Sequence, residues 1–116
     1  MATVAETYLE NLERRIPALE AHETAWDTAR MNHTQSPVLP DEFCFADDRD
    51  ESNALQRPVA MLRATLDPTW GDLEEALDAA DYVSHVGDSS LRKIRAVCAV
   101  CRLVEAEARR RTDHRG

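Results

Sequence analysis

The stretch SLRKIRAVCAVCRLVEAEARRR, residues 90–111, decides the fold. Leu91, Ile94, Val97, Cys98, Cys101, Val104 and Ala108 recur at intervals of three and four. That spacing places them along one face of an α-helix. The acidic and small residues Asp88, Ser89 and Ser90 supply a cap, and Gly87 ends whatever precedes it. Working back, Leu73, Leu77, Ala80 and Val83 give a stripe for a helix over roughly 69–85, with Thr69 and Asp72 as a capping box. Asp67-Pro68 forces a turn before it. Leu55, Val59, Leu62 and Leu66 mark a helix from near Ser52 to Leu66, or one that starts at Pro58 with the proline in its first turn.

The N-terminal stretch 3–30 carries the longest pattern. Ala5, Tyr8, Leu9, Leu12, Ile16, Leu19, Trp26 and Ala29 fall near one face, and Thr3 with Glu6 fits a second capping box. Pro17 lies inside it, removes a backbone donor and crowds the preceding turn, so a kink is expected there. Four amphipathic helices with short later connections imply an all-α, antiparallel bundle in a single domain. The first helix, if unbroken, is about 42 Å long at 1.5 Å per residue and outruns the ~22 Å and ~26 Å of the next two. Its overhang either folds back at Pro17 or buries Leu9, Leu12, Ile16, Leu19 and Trp26 against a second copy. A homodimer through this stripe is the expectation.

Residues 31–51 form a long connection, and a loop of that length is functional, disordered or a sign that an element has been missed. Val38, Leu39, Phe43 and Phe45 make its middle apolar. In an extended stretch Phe43 and Phe45, separated by Cys44, point to the same side. Two uses follow: a roof over the protein's own core, or a contact for a partner. The prolines at 37 and 40 stiffen the approach, and Asp41, Glu42, Asp47 and Asp48 surround the rings with charge.

Among 116 residues, 22 are acidic and 14 basic, a net charge of -8. Residues 1–88 hold 19 acids and 6 bases, whereas residues 89–116 hold 3 acids and 8 bases. The helix over 69–85 is acidic and that over 90–111 basic, so the two should pack with complementary charge. Arg109, Arg110 and Arg111 open a basic tail over 109–116 that offers phosphate contacts. They equally suit the negative end of a helix dipole.

Three glycines, Gly71, Gly87 and Gly116, exclude glycine-rich phosphate loops and the dinucleotide fingerprint. No GxSxG or HExxH occurs. The residues three before the histidines are Leu19, Arg30, Tyr82 and Arg111, so the Glu-x-x-His pattern of bundle di-iron sites is missing. Cys98-Ala-Val-Cys101 has ligand spacing, and His85 with Cys44 would complete a set of four. The pair sits in an apolar helical run, however, where free cysteine packs as a small hydrophobe. Neither metal nor cofactor is expected. Charges at Glu6, Glu10, Glu13, Arg14 and Arg15 interrupt any signal sequence, and no apolar run reaches the ~20 residues of a membrane span. Three cysteines fit a reducing cytoplasm.

These readings favour a cytoplasmic, non-enzymatic helical protein that binds another protein and itself as adaptor, regulator or inhibitor. The alternatives are a nucleic-acid-associated protein using the arginine-rich last helix, or an acidic inhibitor that imitates nucleic acid, such as a phage anti-defence protein.

Overall fold

The computed structural model describes residues 4–115. They form α1 (Val4–Glu13), α2 (Arg15–Met31), a 3-10 turn at Asp41–Phe43, α3 (Asp48–Thr65), α4 (Gly71–His85) and α5 (Ser90–Arg115). No strand occurs among the described residues. The Thr3–Glu6 capping box lies outside them.

The expected kink is present. Helices α1 and α2 run on as one rod bent by 16°. Pro17 has no N–H to offer the Glu13 carbonyl and its ring crowds that carbonyl, so the ladder breaks three residues ahead of the proline, at Arg14. Arg14 itself keeps helical dihedrals, φ -62 and ψ -21, which is why the rod bends without folding back.

The four rods alternate in direction. Glu6 pairs with Arg109 at 3.0 Å, Glu13 with Arg102 at 2.6 Å and Glu20 with Arg95 at 2.9 Å. Each step advances seven residues on one rod and retreats seven on the other, so α1–α2 lies antiparallel to α5. Arg63 to Asp78 and Gln56 to His85 set α3 antiparallel to α4 in the same way. Leu9, Leu12, Leu55, Leu77, Ile94 and Cys101 are each 0% exposed at the centre.

Three boundaries differ from the sequence reading. Helix α3 begins at Asp48, not near Ser52. The Asp47 carboxylate accepts from the Asp50 N–H at 2.8 Å, and Asp50 accepts from the Ala46 N–H at 2.9 Å. The acidic run is therefore a cap and first turn, favoured by the helix dipole, not loop. Pro58 consequently sits mid-helix, with its ring buried in the core. Helix α4 starts at Gly71 without a side-chain cap, because Asp67 takes the Thr69 N–H and hydroxyl while Asp72 turns to Arg111. Helix α5 continues to Arg115, so the basic tail is helical.

Candidate functional site

The end of the molecule where α5 begins carries an arm. Helix α2 runs past the first turn of α5, and the molecule reaches 59 Å along its long axis but only 28 and 23 Å across. Of residues 20–31 only Ala29 is buried. At Met31 the chain reverses: His33 adopts φ 55, in the left-handed region that histidine enters more readily than most residues. The Thr34 N–H donates to the Ala29 carbonyl at 2.8 Å and clamps the turn.

The connection then runs back along α2. Pro37, Leu39 and Phe43 face Ala18, His22 and Ala25 across a shallow groove. The Arg14 guanidinium donates to the Glu42 carbonyl at 3.1 Å and lies 5.8 Å from the Phe43 ring. Arg15 is only 8% exposed. It donates to the Asn11 carbonyl and side chain at 2.8 and 2.6 Å, and its guanidinium stacks 4.4 Å over Phe45. Burial, then the neighbouring Arg14 charge, lowers the Arg15 pKa; Asp50 opposes them. Phe45 packs against the central core together with Ile16 and Leu19.

These positions sort the expected contact residues. Phe45 and Leu39 are half-buried against the protein itself, Phe43 is half-buried over α2, and Val38 is 86% exposed. The roof therefore accounts for three of the four. In the self-association stripe, Leu9 and Leu12 must be removed: both are 0% exposed, because the bend lets α1 lie flat on α3 and α5. Ile16 and Leu19 are half-buried on the core, and Trp26, 42% exposed with Arg30 stacked over it, remains on the surface.

The arginine cluster is occupied. Arg109 pairs with Glu6, Arg110 with Glu107, and Arg111 with Asp72 at 2.5 Å and with Glu107 at 3.0 Å. Arg111 also lies 5.4 Å from the Trp70 ring. The Arg111 hydrogen bond holds the Asp72 carboxyl below its ordinary range, and Arg110 with Arg111 takes Glu107 down to about 2. A depressed carboxylate pKa stabilises the fold above the ordinary value of 4.5 and loses that contribution as pH falls towards 2. Arg110→Gln/Arg111→Gln should flatten the fall in melting temperature across that window. Melts at stepped pH check this, and equal slopes for variant and parent would reject it.

Cys98 and Cys101 lie 4% and 0% exposed within the core, and burial pushes both thiols up to about 12. That is the opposite of an activated nucleophile. Cys44 is exposed and its thiol faces the Leu39 and Pro40 carbonyls. A disulfide-exchange reagent at pH 8 should label Cys44 at once, and the other two only after unfolding. Rapid labelling of all three thiols would contradict the packing. Among the described residues, no group of three or more metal-ligating side chains is assembled, and no helix is long and apolar enough to cross a membrane.

The sequence reading missed the ladder of Glu6, Glu13 and Glu20 against Arg95, Arg102 and Arg109. Its signal was present as two sets of like charges at seven-residue spacing. Neither a protein-family model, nor a curated protein, nor a solved structure matches this chain.

Proposed function

We propose that the chain is a non-enzymatic protein-binding module whose contact surface for another protein is the arm formed by α2 and its returning connection. One observation carries this reading. Trp26, Met31 and Val38, exposed by 42%, 78% and 86%, all lie on this arm, where the rod has left the bundle behind. Glu23, Asp41 and Glu42 lie exposed on the same arm. Exposed apolar side chains carried among exposed carboxylates suit a basic partner surface. The carboxylates nearest the arginine cluster are held in ion pairs, and the buried thiols are disarmed, which favours binding over catalysis. The same ion pairs weaken the nucleic-acid alternative, since Arg109, Arg110 and Arg111 already have carboxylate partners.

A second, compatible reading is a homodimer, now through α4 and α5. Leu103 stands 71% exposed beside an apolar groove of about 400 Å³ lined by Leu73, Ala76, Val100 and Val104. A two-fold interface needs a patch complementary to itself, and a knob next to a hole meets that need.

Affinity capture with Trp26→Ala/Val38→Ser beside Arg109→Gln/Arg110→Gln/Arg111→Gln tests the first reading. Loss of a protein partner in the arm variant alone is expected. Recovery of nucleic acid, lost only in the arginine variant and at raised salt, would replace this reading by the nucleic-acid one. Sedimentation of Leu103→Arg tests the second: a dimer that persists in this variant does not use that face.

A further inference from the structure

At the end of the bundle opposite the arm, Glu6 of α1 meets Glu105 of α5. Their side chains are 19% and 14% exposed, and their carboxyl groups are hydrogen-bonded to each other. Two carboxylates hold no proton between them and repel. This hydrogen bond therefore exists only while one of the pair keeps its proton.

The geometry says which one. Glu6 Oε1 accepts from the Arg109 guanidinium at 3.0 Å, whereas Glu105 Oε1 lies 3.8 Å from the same nitrogen and 3.5 Å from Arg102. Arg102 in turn is held by Glu13 at 2.6 Å. Glu105 is thus the third carboxyl on two guanidiniums that are already engaged. Its Oε2 is buried and accepts no hydrogen bond. Such an oxygen costs more on a carboxylate, where it carries half the charge, than on a neutral acid. The proton belongs on Glu105 Oε1, aimed at Glu6. The neighbouring elements supply no relief: Asp67, between α3 and α4, and Asp113 of α5 line the same cleft as Glu105, and α3 adds Met61, Leu62 and Thr65. Burial, then the Glu6 charge, raises the Glu105 pKa above its ordinary 4.5, against the pull of Arg102 and Arg109.

We propose that Glu6 and Glu105 share one proton and form an acid-sensitive latch between α1 and α5. When the proton leaves, Glu6, Glu13 and Glu105 face two guanidiniums in a poorly hydrated seam, and the first turns of α1 loosen from α5. Because α1 continues into α2 as one rod, the latch governs how firmly the helix that ends in the arm is held. This inference does not rest on the protein-binding reading.

The sense of the pH dependence follows. A carboxyl whose folded pKa is raised contributes stability that is present below 4.5 and lost as pH rises through the raised value. Between the two, the folded chain holds one proton more than the unfolded one, so the folding constant falls by up to about tenfold per pH unit. The Glu107 pairing works in the opposite direction and fails towards pH 2.

Urea unfolding of the parent and of Glu105→Gln at steps from pH 4.5 to 7.5 tests the latch. A glutamine amide donates to Glu6 at every pH, so the variant's folding constant relative to the parent's should rise with pH, by up to about tenfold per unit. Carbon-13 NMR of the parent's glutamate carboxyls should show Glu105 titrating above 4.5, with a midpoint that falls in Glu6→Gln. A Glu105 midpoint at or below 4.5 in the parent overturns the proposal even where a variant fails to fold. So does a ratio of folding constants that stays level across the range, or a midpoint that Glu6→Gln leaves in place.

Discussion

Leu12→Ala should lower folding stability by about 3 kcal/mol, within the range seen when a buried leucine leaves a cavity. For a domain of this size that is about 10–15 °C in melting temperature. Leu12 is 0% exposed and belongs to the cluster that joins α1 to α3, α4 and α5. The loss should be independent of protein concentration, because the cavity lies inside one chain. Chemical denaturation at two concentrations a hundredfold apart checks this. A midpoint that moves with concentration in the parent but not in the variant would put Leu12 at a subunit contact and restore the self-association stripe.

Phe45→Ala should cost about 2 kcal/mol, below the ~3–5 kcal/mol of a fully buried phenylalanine because its ring is only half covered. The ring packs on the core and carries the Arg15 guanidinium 4.4 Å away. Removing it also uncovers Arg15, whose Nε is buried without a hydrogen bond. Val38→Ser, at a residue 86% exposed, should change stability by no more than about 0.5 kcal/mol. Urea unfolding of the two variants side by side separates a roof from a free contact. Equal losses would mean that Val38 is packed after all, and no loss in either would leave the connection undocked.

The rods were legible because their apolar residues repeat at the helical period and short turns join the last three. Leu73, Leu77 and Ala80, or Ile94, Val97, Cys98 and Cys101, need no tertiary information to be assigned a buried face. The start of α3 was not legible in the same way. Its first turn is wholly polar, and Pro58 resembles a beginning, whereas the start is fixed by one carboxylate, Asp47, taking one N–H. The course of residues 32–47 depended on contacts between distant positions: Arg14 to Glu42, and Arg15 to Phe45. Local pattern carries no record of such meetings. The arm was foreseen as an overhang from helix lengths alone. Its returning connection was not, since it arises only when separate elements meet.

The ladder between α1–α2 and α5 does not encode its own alignment. Sliding the rod by seven residues, about 10 Å, would set Glu13 against Arg109, Glu20 against Arg102 and Asp27 against Arg95, again three matched pairs. Charge therefore tolerates two alignments, and shape must choose between them. The choice falls to the leucines at 9 and 12, which fit one set of gaps, and to the clasp of Arg15 on Phe45, which anchors the rod to a segment beyond its own helix. In this chain the ion pairs act as a vernier with repeated marks, and the core alone says which mark is zero.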